Sequence, residues 1–521
     1  MSNDLRRVPA AADVVVIGSG HNALVCALLL ARDGKRVVVV EAREVLGGAC
    51  RTEHPFAKAP ELGVSSGAYL LGLMPPELLS TLGIDLPLLR RDPHYFLPTL
   101  DHRYLLVGSD SASLRRQYVE FFSEADWEAH VAMNEEIAQL RDDLAPAWLA
   151  PPLSLEETAE RFVRPALRET FVRLVRGTIA EYLARFPFRS PLIQAMYATT
   201  DAFSGLRGGW DTPGTGHNFL VHNMCRLPGA DGTWMIVEGG MGTITRTLAA
   251  AARAAGATIV TGAAVASIEI EGGVAKGVLL ESGERIAAPV VVSGADPFRT
   301  RDLIGEANLP QAYNTKIDGL RRDGTTMKVN LAFDRLPTFR CLPEDRGQFG
   351  PTIHLLPQGD DPIAAIRRAY DEVCQGRLSD EPTIEWYFHT PIDPSLRDPQ
   401  GRHNGALFVQ WVPYELESGT WAEAEGPYVR KLLEICDRFA PGTSSTVVDA
   451  FVLTPPKIES HFGITRGHIH HVDNAFAFDA RAPYALPLSG VYQCSAGCHP
   501  AGSVIGAAGH NAARVIAEAM G

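Results

Sequence analysis

Three positions in GSGHNA, spaced Gly18-x-Gly20-x-x-Ala23, could hold a pyrophosphate on backbone N–H groups. Their chemistry comes from side chains they lack. Gly18 permits a tight turn, Gly20 lets phosphates approach the backbone, and Ala23 lets helix and strand pack closely. His21 and Asn22 open the helix whose N–H groups and dipole favour an anion, so both join the binding candidates. Glu41 stands 23 residues beyond Gly18, near the ~20 expected for an acid on a ribose hydroxyl. Such an acid favours an unphosphorylated ribose, hence FAD or NAD over NADP. Ala42 and Arg43 follow it and are grouped with it.

The elements that must position these residues are legible around them. Asp13 to Ile17 is a β-branched run, the pattern of a buried parallel strand. Leu24 to Arg32 is apolar and helix-favouring, with Gly34 placed as a C-cap. Arg36 to Val40 predicts a second buried strand. Together they form one βαβ unit, the context the glycine motif needs.

Gly47 and Gly48 follow in REVLGGACRT. This R-x-x-x-G-G-x-x-x-S/T pattern resembles the extension after the dinucleotide fold in the glutathione-reductase and amine-oxidase group of flavoproteins. Paired glycines let a loop backbone lie against a cofactor. No second glycine fingerprint follows a strand downstream, so a single dinucleotide site holding FAD is expected. Electrons would pass to dioxygen, a quinone or another acceptor, or return to the substrate. GGAC begins like the redox segment of disulfide reductases, but Pro55 stands where the second cysteine belongs. The eight cysteines form no disulfide framework, and Cys494 and Cys498 read as ordinary thiols.

The chain has 521 residues, 46% hydrophobic and 21% charged, enough for two or more domains. A net charge of −13 argues against a nucleic-acid partner. MSNDLRRVPAA is short and polar rather than a signal peptide. The apolar run Ala11 to Ala31 contains Asp13, His21 and Asn22, which argues against a membrane span. A cytoplasmic location is expected.

Two further blocks follow. Trp234 to Gly262 carries Gly239, Gly240 and Gly242 into an alanine-rich helix. A meander succeeds it, with turns at Gly272-Gly273 and in ESGE, and Val290 to Ser293 reads as a strand returning to the parallel sheet. At the C-terminus, Val491 to Cys494 predicts a strand. A glycine-rich loop from Gly497 to Gly506 then enters a final helix near Ala507. This ending resembles the G-A-G-x-H-P-G-G-G-x-x-G-A pattern of phytoene-desaturase-like flavoproteins. The branch in view includes carotenoid oxygenases and ketolases and the pyridine nucleotide-disulphide oxidoreductase domain-containing proteins. GGACRTE, VEGGMGTITRTLA and GHIHHVDNAF fit the same branch. Cys498 departs from the family's threonine, and Ala501 and Ser503 from loop glycines. SAGCH echoes a covalent-flavin segment of monoamine oxidases but at another point in the chain, so noncovalent FAD is expected.

The resemblance implies an α/β fold, α+β overall. It has a Rossmann-type FAD-binding domain with a parallel sheet and a β-meander, and a substrate domain with a mixed or antiparallel sheet and a helical insertion. Residues 1–80, 225–300 and 455–521 would form the discontinuous FAD-binding domain. Residues 81–224 would be the largely helical part of the substrate domain, and 301–454 its sheet-containing part. Val265 would meet the adenine end of FAD through its backbone, and Gly497, Gly506 and Ala507 would border the flavin. Within the insertions, Glu124 to Leu144 predicts one amphipathic helix and Ala166 to Arg185 another. The second carries Arg168, Arg173 and Arg176 off its apolar stripe. It suits a solvated surface helix, and alternatively peripheral contact with an anionic membrane. TTMKVNLAFD, TIEWYFHT and ALFVQWVPY read as strands forming a cavity wall.

His499 and His471 are the catalytic candidates. A neutral imidazole beside a flavin can accept a proton while hydride leaves the substrate. His468 and His470 make a local cluster without partner ligands at metal-binding spacing, so no metal is expected. The expected activity is FAD-dependent removal of hydride and proton from a largely apolar small molecule, with dioxygen or a quinone reoxidising the flavin. An amine or cyclic-metabolite oxidase releasing hydrogen peroxide, a redox-neutral isomerase or saturase, and a non-catalytic flavin-binding protein are the alternatives. A homo-oligomer is left open.

Overall fold

The computed structural model describes residues 8–230 and 232–521, so the first residues of the polar N-terminal stretch lie outside the described residues. Val14–Ile17 is β-branched throughout and buried along its length. It forms the centre of a five-stranded parallel sheet, in the order Val491–Gln493, Val290–Ser293, Val14–Ile17, Val37–Val40, Thr258–Val260. Continuous apolar runs of this kind belong to strands covered on both faces. Each buried valine contributes roughly 1.5–3 kcal/mol against exposure. The three sequence blocks therefore meet in one sheet, as the motifs predict.

The helix His21–Arg32 packs against Gly242–Ala254 and the C-terminal helix Ala507–Met520. Ala23 faces Gly294 at the end of the neighbouring strand, where a Cβ on Gly294 would lie 2.8 Å from that of Ala23. This is the close helix–strand approach assigned to Ala23. The meander is a three-stranded antiparallel sheet, Val265–Glu271, Val274–Leu280 and Arg285–Ala287.

A second sheet has seven strands, in the order Val447–Leu453, Thr326–Phe333, His403–Gln410, Thr383–Phe388, Thr352–Leu355, Tyr95–Pro98, Tyr104–Val107. Its last two strands come from the first insertion, and Tyr95–Pro98 pairs in parallel with Thr352–Leu355. The central strands alternate. Met327, Val329, Leu331, Ile384, Trp386, Leu407 and Val409 form one face, in a core shared with Tyr428 and Leu432 of the helix Trp421–Phe439. The opposite face is polar, yet all eight residues of Thr326–Phe333 are buried.

Glu124–Leu144 is a single helix, with Ser123 accepting from the Asp126 N–H at 3.1 Å. Ala166 to Arg185 departs from the expected single helix. It divides into Arg168–Arg176 and Ile179–Leu183, separated by Gly177 and by Thr178, which forms a capping box with Glu181. An N-cap that satisfies free N–H groups starts a new helix in a stretch whose apolar periodicity alone runs straight through. The apolar residues Phe171, Leu174 and Val175 are buried in a core cluster. Arg173 pairs with Glu169 and Arg176 with Glu156. A membrane-surface helix needs an open apolar face, and here that face is occupied by the protein's own core. Among the described residues, no helix is long and apolar enough to cross a membrane.

Candidate functional site: a cavity joining the two sheets

A cavity of about 1220 Å³ runs between the parallel sheet and the polar face of the seven-stranded sheet. Small-molecule sites usually span ~300–1,000 Å³, so this space suits a dinucleotide together with a second molecule. Every candidate from Gly18 to Gly48, with Val265 and His471, lines it.

At the nucleotide end the shape is made by missing Cβ atoms. Gly18 adopts φ +87° at the turn. Gly47 adopts φ +120°, and a Cβ there would lie 2.6 Å from the Cys50 carbonyl and 2.8 Å from Thr245 Oγ1. Gly20 and Gly47 form an isolated parallel bridge, so the two glycine loops lie side by side. Ser19, an unspecified position in the motif, ties them together. Its Oγ accepts from the Gly47 N–H at 3.1 Å and donates to Glu41 Oε2 at 2.6 Å. Glu41 also accepts from the N–H groups of Ser19 and Arg43, both at 2.9 Å. A carboxylate has roughly four acceptor positions, so one is left for a ribose hydroxyl.

Asn22 Oδ1 and His21 Nε2 are buried at this end without a hydrogen-bond partner among the described residues. Burial holds the His21 imidazole down to about 4, hence neutral at physiological pH. His471 takes a left-handed conformation, φ +61°. It faces the same end, close enough to His21 to depress its basicity, and burial likewise lowers its own. Backbone donors, an acid with an open acceptor position and unpartnered polar atoms all fit a bound dinucleotide.

The C-terminal loop reaches the cavity through other residues than those named from the sequence. Ser495, Ala496, Ser503 and Val504 line it, whereas Gly497, Gly506 and Ala507 do not. A Cβ on Gly497 would lie 2.8 Å from the Pro297 ring, and one on Gly506, at φ +81°, 2.8 Å from Leu78. These glycines serve packing, and Ala507 belongs to a hydrophobic core. His499 is also outside the lining. Its Nε2 donates to the Ala147 carbonyl at 3.0 Å, and burial lowers the ring to about 4. Cys498 is buried, off the cavity, with its thiol toward the Pro483 and Gln493 carbonyls. His470 lies in a turn that His468 precedes. His468 pairs with Asp473 at 3.0 Å, while His470 borders the cavity between Gly205 and Gly502.

At the far end the register of the seven-stranded sheet sets one row of side chains. Lys328 pairs with Phe408, Phe408 with Glu385, and Glu385 with His354. All four line the cavity. Lys328 Nζ donates to the Ser65 carbonyl at 2.6 Å and to the Gly67 carbonyl. It stands 5.1 Å from the Tyr69 ring and 5.5 Å from that of Tyr387, which are stacked at 4.2 Å. Tyr69 Oη donates to Glu385 Oε2 at 2.7 Å. Burial drives the Lys328 amine well below its ordinary range. Burial also raises Glu385 to about 8 and Asp201, another wall residue, to about 7. Sequence reasoning missed this row. Its only sequence signal is polar residues alternating in three strands, a pattern that ordinarily marks a solvent face.

The flavin containing amine oxidoreductase family matches residues 24–362. The chain is 33% identical to the mouse (Mus musculus) pyridine nucleotide-disulfide oxidoreductase domain-containing protein 2, over 97% of this chain and 93% of that protein. It is 26% identical to a limonene dehydrogenase component from Castellaniella defragrans, over 98% and 95%. Among solved structures, an oxidoreductase from Methanosarcina mazei superposes with a TM-score of 0.63 at 18% identity, over 97% of this chain and 99% of that one. The chain belongs to the flavin containing amine oxidoreductase family and is an FAD-dependent oxidoreductase.

Proposed function

We propose that this oxidoreductase is a dehydrogenase that removes a hydride and a proton from a small molecule with a largely apolar carbon skeleton. One observation carries this reading: a single cavity is lined at one end by the glycine cradle and at the other by the Lys328 row. Leu114, Tyr118, Ile137 and Met196 of the helical insertion add an apolar wall. The name of the limonene dehydrogenase relative supports such a substrate.

FAD, when bound, supplies the hydride acceptor. The chain's part is to bind, to exclude water and to move a proton. Gly18, Gly20, Gly47 and Gly48 would receive the pyrophosphate end, Glu41 a ribose hydroxyl, and Val265 the adenine side. Neutral His21 and His471 would act there as hydrogen-bonding groups rather than as bases.

Lys328 is the proton acceptor. A neutral amine has two N–H groups and one lone pair. The Ser65 and Gly67 carbonyls take the two N–H groups, which leaves the lone pair for the substrate. The ammonium formed by protonation is stabilised by the same carbonyls and by the Tyr69 and Tyr387 faces. The electrons taken up would leave to dioxygen or a quinone.

Anaerobic titration of the yellow holoprotein with cyclic and linear terpenoids tests this reading. Bleaching of the flavin absorption by one of them is the expected result. Peroxide formed on readmitting air marks dioxygen as the acceptor, and its absence with quinone-dependent turnover marks the quinone. A flavin bleached only by primary amines would replace the dehydrogenase reading with an amine oxidase.

A further inference from the structure

Arg481 and Arg91 are both buried, and they are satisfied very differently. Arg481, 1% exposed, lies outside the cavity. Its Nε donates to the Cys498 carbonyl. Its two terminal nitrogens donate to the Val472, Asp473, Phe476 and Ala496 carbonyls and to Asn474 Oδ1. A guanidinium has five N–H donors, and Arg481 is fully used. Arg91, 5% exposed, lines the cavity wall. It makes two hydrogen bonds, from Nε to the Trp234 carbonyl at 2.9 Å and from Nη1 to Thr352 Oγ1 at 2.8 Å. Among the described residues, no carboxylate stands within 4.0 Å of it.

We propose that Arg91 is a carboxylate subsite: the substrate of this cavity carries a carboxylate that docks on the free edge of the Arg91 guanidinium while its apolar body lies against the helical wall. The proposal deepens the dehydrogenase reading and rests on it for the word substrate. An arginine stays charged when buried, and a buried charge without a counter-ion is costly. Its two internal partners are neutral and fix the fork in place. What remains is a planar edge of N–H donors, the geometry that matches a carboxylate bidentately. The two acids in this part of the cavity are engaged elsewhere. Glu385 receives the Tyr69 hydroxyl, and Asp201 receives Asn223 Nδ2 at 3.2 Å. Burial raises both carboxyls, Glu385 to about 8 and Asp201 to about 7, which weakens each as a counter-ion for Arg91. Arg141, also on the wall, adds a second positive charge, 3.9 Å from Asp142.

Isothermal titration calorimetry on the flavin-loaded protein decides the matter, using three probes that share one ring: cyclohexanecarboxylate, cyclohexylmethanol and cyclohexylamine. Cyclohexanecarboxylate is expected to bind saturably and at least ~30-fold tighter than the alcohol. Arg91→Met should weaken it roughly 100-fold and bring it level with the alcohol, while Arg91→Lys retains part of the preference. Tighter binding of the amine, equal binding of all three, no binding of any, or an unchanged carboxylate affinity in Arg91→Met would each overturn the proposal. The probe series on the unaltered protein stands even where Arg91→Met does not fold. The titration reads binding, and flavin content is read by absorbance on the same sample. A protein that prefers the carboxylate but whose flavin no candidate reduces therefore retains the subsite and loses the dehydrogenase reading.

Discussion

The two ends of the cavity are built by opposite means. At the glycine-lined end, much of the wall is backbone, as at Gly18, Gly20, Gly47 and Gly48. At the far end, the backbone is consumed in sheet pairing, and side chains of Lys328, Glu385, His354 and Arg91 face the space. At Gly47 the chain leaves no room for an added Cβ, whereas Gly18 and Gly20 have open space around theirs. A side-chain site tolerates change in shape but depends on the protonation state burial imposes.

Gly47→Val gives the largest expected effect of that difference. The new Cβ would meet a backbone carbonyl at 2.6 Å at a φ of +120°, a conformation that costs about 1–3 kcal/mol in strain before the clash is counted. Loss of bound flavin is expected, read as the ratio of flavin to protein absorbance. Full flavin occupancy in this variant would break the backbone half of the comparison. Lys328→Met should do the reverse, keeping the flavin while slowing its anaerobic reduction by substrate about 10²–10⁴-fold. The rise of the reduction rate with pH should vanish with the amine. Reduction at the unaltered rate would remove Lys328 from proton transfer.

Two carboxyls sharpen the contrast through pH. Burial holds Glu385 up to about 8, from an ordinary value of 4.5. The folded chain keeps this proton while the unfolded chain releases it. Stability from this group is therefore complete below pH 4.5 and is lost as pH rises toward 8. Burial acts on Glu53 too, but hydrogen bonds from His461 and Ser66 and the charge of Arg51 outweigh it and bring it to about 2. Its contribution is present above pH 4.5 and is lost as pH falls toward 2. Glu385→Gln should flatten the fall in stability on the alkaline side by on the order of 1–3 kcal/mol, measured by denaturant unfolding at pH 5 and 8.5. Glu53→Gln should flatten only the acid side. An unchanged alkaline slope in Glu385→Gln would show that this carboxyl is not held protonated.

The smallest effect belongs to the arginine-rich helix. Arg173 and Glu169 are 78% and 77% exposed, and an exposed pair is worth about 0–1 kcal/mol. Arg173→Gln should leave stability within ~0.5 kcal/mol and cosedimentation with anionic vesicles unchanged. A loss of vesicle binding would revive the membrane role.

The sequence by itself determined the glycine-lined end of the cavity. Its strands, helix and glycines lie within residues 14–48, and a missing Cβ or a β-branched run has its effect where it stands. It also placed the meander and the strand Val290–Ser293, because turn residues and short apolar runs act locally. Tertiary structure alone decided the rest. Gly177 and the Thr178 capping box split a helix that periodicity carries through. His499 falls outside the cavity because the Ala147 carbonyl, distant in sequence, takes its ring. Lys328, Glu385 and His354 come from three strands, and only pairing register sets them in one row. Alternation announces that a strand has a polar face. Whether that face meets bulk water or an enclosed cavity depends on which elements pack over it, and on that turns whether Lys328 and Glu385 keep their ordinary charges or lose them.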